Sequence, residues 1–202
     1  MKITKRLLLP LLILLLLTLA ACNAADEAGT QPELPANFTR FDKPEIGFSF
    51  GYPQDWAMRE GPRGFAVVSQ ESYLENPSIT VENRGAIVTI GLGKVDQIES
   101  ENPIDIANKL LEASGAAGNM EMLQAPTSTS VNGQQAAVAT FRSQTPEGLS
   151  LTQKLYVIRK DDRVVTVTTS VPTENEAQYG LVTESIVNSI LITPIAAAPA
   201  GG

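Results

Sequence analysis

Two long alternating runs in the second half of the chain limit its fold more than any other feature. Leu149 to Arg159 and Arg163 to Val171 each show the two-residue period of a β-strand. A turn near Asp161-Asp162 makes them a hairpin. In the first run Leu149, Leu151, Leu155 and Val157 share one side, interrupted by Gln153, while Tyr156 and Ile158 occupy the other. A strand that is apolar on both sides needs cover on both sides. An earlier hairpin reads as Thr127 to Val131, Asn132-Gly133, then Gln134 to Phe141, because Asn-Gly supplies the positive φ angles of a tight turn. The expected fold class is α/β (α+β), a central antiparallel β-sheet with helices packed on both faces, in preference to a sandwich of two sheets.

Two helices supply the cover. Asn102 caps the first and Pro103 suits its first position. Ile104, Ala107, Leu110 and Leu111 form its apolar stripe, and Gly115 stops it. The last helix begins at Thr173, with Thr173 and Glu176 fitting a capping box. Tyr179, Val182, Ile186 and Ile190 follow helical spacing, and Gly180 among them implies a close contact. Pro194 ends the fold. Further strands are expected at Phe48 to Tyr52, Phe65 to Ser69 and Ala86 to Leu92, with a short extended piece at Ile79 to Val81. Trp56, the only tryptophan, reads as a residue packed over the core.

Several motifs look like chemistry and are not. Gly47-Phe48-Ser49-Phe50-Gly51 fits the G-x-S-x-G elbow of hydrolases, but the alternation runs straight through Ser49 and Tyr52-Pro53 forbids an immediate helix. The chain has no histidine, so no histidine base can activate that serine. Gly91-Leu92-Gly93-Lys94 lacks the spacing of a phosphate loop and reads as a strand end. Asn37-Phe38-Thr39 matches a glycosylation sequon by chance. No catalytic set, cofactor motif or metal-ligand spacing is present. Asp96, Glu99 and Glu101 form a loose acidic group without an EF-hand pattern.

The N-terminus fixes the compartment. Lys2, Lys5 and Arg6 precede an apolar run from Leu7 to Leu17, broken by Pro10. Extended to Ala21 the run is about 15 residues, short of the ~20 that span a membrane, and it reads as a secretory signal. Leu19-Ala20-Ala21-Cys22 resembles the lipobox of bacterial lipoproteins. That resemblance implies cleavage before Cys22, acylation of its thiol, and a lipid anchor on the outer face of the cell membrane. Three of the 15 basic residues and none of the 22 acidic ones precede Cys22, so the chain from Cys22 onward carries 12 against 22, a balance of −10. Such a charge argues against nucleic acid and against adhesion to anionic head groups. Residues 1–21 are therefore the signal, 22–37 a lipidated flexible tether, 38–194 the folded domain and 195–202 a small-residue tail.

Gly47 to Phe50 leading into Tyr52-Pro53 and Trp56, then Val131-Asn132-Gly133-Gln134-Gln135-Ala136, the Leu149–Val171 hairpin and the Tyr179–Ile190 helix together resemble PsbP-like domains of the Mog/PsbP superfamily. The resemblance implies an α-β-α sandwich and an accessory or binding role without catalysis. It carries over no histidine-based manganese site, since the residues for one are missing. The expected function is a membrane-anchored, extracytoplasmic, non-catalytic binding or assembly module for another envelope protein. A lipoprotein that captures a small ligand or calcium is the alternative.

Overall fold

The computed structural model describes residues 31–94, 100–115 and 120–195. The chain enters with β1 (Phe38–Lys43), a single 3-10 turn and β2 (Phe48–Pro53), followed by β3 (Ala57–Gly61), β4 (Gly64–Val68) and β5 (Ile87–Lys94). Helix α1 (Pro103–Gly115) then leads to four long strands, β6 (Met120–Val131), β7 (Gln134–Gln144), β8 (Ser150–Lys160) and β9 (Arg163–Pro172). Helix α2 (Glu176–Asn188) and the short β10 (Leu191–Ile192) complete it.

The strands form two antiparallel sheets. The large one has the order β3-β4-β5-β9-β8-β7-β6, and the small one β1-β2-β10. Both hairpin turns fall where the sequence places them: Asn132 and Gly133 have φ of 48° and 73°, and Asp161 has φ of 56°. β6 begins seven residues before Thr127, as an edge strand that absorbs Pro126 through irregular register between Met122 and Thr127.

Each face of the large sheet has its own core. On one face Ile106, Ala107 and Leu111 of α1 pack on Ala137, Ala139, Phe141, Leu155, Val157 and Val164. On the other, Ile186, Val187 and Ile190 join Val165, Val167, Ile158 and an aromatic group around Phe48, Phe50 and Phe65. Tyr156 and Ile158 thus face α2 while Leu155 and Val157 face α1, the division expected from their alternation. The expected cover is present on both faces, with one addition. The α2 face is covered by a helix and also by the small sheet, because β2 pairs with β10 across the length of the chain. Buried Gln134 ties that closure, accepting from Ile192 N at 3.2 Å and donating to Ile190 O at 3.1 Å.

Local departures have local causes. Asn102 caps α1 as expected, its Oδ1 accepting from Ile104 N at 2.9 Å. The centre of the α1 stripe is Ile106, fully buried, with Ile104 only partly so. No capping box forms at Thr173: a 3-10 turn precedes α2, and the Thr173 hydroxyl bonds Thr152 and Ser150 instead. Ile79 to Val81 forms no strand, because Thr80 and Asn83 exchange backbone bonds in a turn. Ile79 instead joins Tyr73, Val68, Ile87 and Leu151 in a third apolar group. Trp56 is 9% exposed and lies edge-on to Tyr179 at 6.0 Å.

Gly180 has no close neighbour, since an added Cβ would meet only Glu176 Cγ at 3.5 Å. Gly180→Ala is therefore expected to raise stability by about 0.5–1 kcal/mol. In a chain of this size that is a rise of roughly 1–4 °C in Tm, checked by calorimetry.

Tyr156 supplies a second expectation. Burial, with a smaller push from Glu184, raises its phenol from the ordinary 10.0 to about 12. The neutral form is the one the fold favours, so the contribution is complete below pH 10 and is lost as pH rises through about 12. Denaturant titrations should show stability falling across that window, and Tyr156→Phe should flatten the fall.

Candidate functional site

Among the described residues, the α1 face of the large sheet is covered at its two ends and open between them. Helix α1 lies over β6, β7 and β8, and residues 71–79 cover the Val68, Ile87 and Leu151 end. Between these covers the floor changes chemistry. Along β9 the valines at 165, 167 and 171 point to the α2 core, so Thr166, Thr168 and Ser170 point to the α1 side. The β5–β9 register sets Thr89 beside Thr168 and Gly91 beside Thr166. Gly91 leaves room there, since a Cβ would come within 2.6 Å of Thr166 Oγ1.

Gln153, which interrupts the apolar side of β8, lies at the centre. Its Oε1 accepts from Ser143 Oγ at 2.8 Å and its Nε2 donates to Ser170 Oγ at 2.8 Å. This bridge runs across β7, β8 and β9. The hydroxyls of Thr89, Thr166 and Thr168 have no hydrogen-bond partner among the described residues. Two hollows of about 460 and 360 Å³ meet at Gln153 and together form a groove. The larger is walled by Leu110, Leu111, Met120, Phe141 and Leu155, and no charged side chain among the described residues lines it, while Glu147 lies at the smaller. In an acidic chain that is a distinct patch of neutral donors and acceptors beside an apolar wall. It can hold an uncharged polar group through hydrogen bonds and bury an apolar side chain. It holds no activated nucleophile and no pair of carboxylates. The shifted titrating groups, Tyr73, Tyr156 and Arg163, all lie outside it.

The residues singled out in the sequence fall elsewhere. Cys22 lies outside the described residues, as do Asp96 and Glu99. Glu101 pairs with Arg159 at 3.2 Å. Among the described residues no group of three or more acidic, histidine or cysteine side chains could hold a metal ion. Ser49 is 4% exposed as the second residue of β2, opposite Asp42, and the strand runs on through it with no elbow and no helix after it. Gly91 to Lys94 is the end of β5. The groove residues were not anticipated. Their signal is the Thr-Val-Thr-Thr-Ser sequence from 166 to 170, where hydroxyls replace apolar residues on one side of a strand buried on the other.

Pro32 to Asn37, ahead of β1, lie on the small sheet. Arg40 Nη2 donates to Pro32 O at 2.6 Å, and Gln54 N to Asn37 O at 2.9 Å. Leu34 sits over Gly51, where a Cβ would come within 2.4 Å of it. Gly51 alternates with Phe50 and so faces away from the aromatic core. The segment therefore approaches from the layer opposite the groove.

No family model and no curated protein sequence matches the chain. Solved structures do. Cyanobacterial PsbP (CyanoP) from Synechocystis matches with a TM-score of 0.57 at 10% identity, over 85% of this chain and 98% of that one. LpqN of Mycobacterium tuberculosis, described as involved in cell envelope biogenesis, gives 0.54 at 12% identity, over 73% and 83%. The Ran-binding protein Mog1p of Saccharomyces cerevisiae gives 0.51 at 13% identity, over 77% and 95%. Those likenesses, with the seven-stranded antiparallel sheet and its two opposed helices, identify the architecture of this chain as the PsbP/Mog-like α+β fold.

Proposed function

We propose that this chain is a lipid-tethered extracytoplasmic module, without catalytic activity, that offers its groove to another envelope protein. The observation that carries the reading is the uncovered, uncharged hydroxyl strip on an otherwise packed sheet. A sheet face buried at both ends and left polar and open between them is a surface kept for contact. The Leu19–Cys22 segment supports the tether. From Cys22 to Gln31 the chain has about nine steps, a reach of at most ~30 Å. Two neighbours of the same fold, one tied to envelope biogenesis and one to binding a protein, fit an accessory role.

Fractionation and crosslinking test the two halves separately. Wild type should sediment with membranes and Cys22→Ala should not. A photocrosslinker at Thr168 should capture one identified envelope protein, and the same position on the α2 side, Gln178, should not. Thr168→Arg should cut affinity for that purified protein at least tenfold while changing stability by no more than about 0.5 kcal/mol. Retention of Cys22→Ala on membranes would overturn the tether, and undiminished affinity in Thr168→Arg would overturn the groove.

A further inference from the structure

At one end of the molecule the two sheets part. Strands β5 and β9 of the large sheet and β2 and β10 of the small one enclose a crevice of about 290 Å³. Ile46, Phe48, Leu92, Val165, Ile192 and Ile195 line it. Phe48, Val165 and Ile192 belong to the buried core, so the crevice opens directly onto apolar interior. It lies between the two sheets, on the α2 side of the large sheet, and is separate from the groove.

Its rim is cationic. Lys94 and Arg163 line it and stand opposite each other in the β5–β9 register. Alternation from Leu92 and Val165 turns both side chains toward the small sheet. Like charges set directly opposite on neighbouring strands oppose folding. Arg163 is engaged, donating to the carbonyls of Ile46, Gly47 and Thr193, and Asp161 and Asp162 beside it offset its charge. Lys94 is exposed and has no ion-pair partner among the described residues. An exposed ammonium at the mouth of an apolar crevice, in a chain of net charge −7, complements a molecule with an apolar body and an anionic end.

We infer that this crevice binds a medium-chain fatty carboxylate, its alkyl chain between the two sheets and its carboxylate on the Lys94 ammonium. The volume is at the lower end of the ~300–1,000 Å³ of small-molecule sites, which suits one short chain and excludes a two-chain lipid. A neutral alkyl ligand would fill the crevice without engaging Lys94, which has no ion-pair partner among the described residues.

The test uses residues 22–202 with Cys22→Ser, so that the chain carries no acyl group and needs no detergent. Calorimetric titration with sodium decanoate should give a saturable one-to-one isotherm. Each buried methylene is worth about fourfold in affinity, so octanoate should bind roughly 15-fold more weakly. Lys94→Ala should weaken decanoate about threefold to fivefold and leave decanol unchanged, an ion pair at an exposed lysine being worth about that much. Leu92→Phe, which narrows the mouth, should weaken both. Leu181→Ala, at an exposed leucine on α2, should change neither. Absence of a saturable decanoate isotherm would overturn the inference, as would an isotherm that Lys94→Ala and Leu92→Phe leave unmoved. Decanol binding as tightly as decanoate would overturn the carboxylate assignment. None of these outcomes depends on the tether or on the groove.

Discussion

Phe50→Ala should remove about 3–5 kcal/mol of folding stability, the range for truncating a fully buried phenylalanine. Phe50 has no exposed surface. Its ring lies 5.3 Å from Phe41, 5.8 Å from Phe48, 5.9 Å from Tyr52 and 5.6 Å from Phe65. Phe41, Phe48 and Tyr52 belong with Phe50 to the small sheet, and Phe65 to the large one. The group is therefore the joint between the sheets. Offset and tilted ring pairs add about 0.5–1.5 kcal/mol beyond their buried area, so the upper part of the range is expected. Domains of this kind have about 5–15 kcal/mol in total, so the variant should sit close to unfolding at 37 °C. Urea titration checks it: the midpoint should fall at constant slope, and Phe50→Leu should recover most of the loss. A loss under about 1 kcal/mol would mean that the small sheet does not share a core with the large one.

That joint was also the hardest part of the fold to read in advance. Alternation in Phe48-Ser49-Phe50 identifies a strand and the side it buries, yet nothing local names its partner. Its partners are Lys43 and Phe41 nearby, and Leu191 and Ile192 about 140 residues away. The long hairpins were legible because period, turn residues and partner are all local to them. So was α1, where Asn102, Pro103 and the apolar spacing agree. Thr173 misled for the opposite reason: its capping pattern is local, but Thr152 and Ser150 on β8 compete for the same hydroxyl and win. The groove follows the same logic. Thr166, Thr168 and Ser170 read as the solvent side of an ordinary strand. They become the floor of a concavity only because α1 stops at β8 and residues 71–79 cover the far end, and neither fact is written near them. Cys22 lies outside the described residues, so the role proposed for it rests on the signal pattern alone.

Arg163→Met is expected to cost about 2–3 kcal/mol, although Arg163 is only half-buried and touches no carboxylate in a direct bond. Its guanidinium donates to Ile46 O at 2.9 Å, to Gly47 O at 3.1 Å and to Thr193 O. Those carbonyls belong to the corner before β2 and to the strand end after β10, so one side chain of the large sheet fastens the entry to the central strand of the small one and the end of its edge strand. The corner has little slack: Gly47 has φ of 58°, a Cβ there would lie 2.2 Å from Thr193 O, and Thr193 N already donates to Gly47 O at 2.9 Å. Burial holds the guanidinium below its ordinary pKa, with Asp162 and Asp161 acting in the opposite sense. Methionine keeps the apolar stem and leaves three acceptors to partial hydration, which is why the loss stays below the sum of three charge-assisted bonds. Lysine has one ammonium in place of a planar fork and should recover less than half of the loss. The distinguishing measurement is salt. Attraction to Asp161 and Asp162 would be screened at 1 M, where the Debye length is about 3 Å, whereas hydrogen bonds to carbonyls would not. A loss that persists at high salt assigns the effect to the three carbonyls. A loss that salt abolishes would assign it to the turn carboxylates and leave the small sheet held by Phe50 and its neighbours alone.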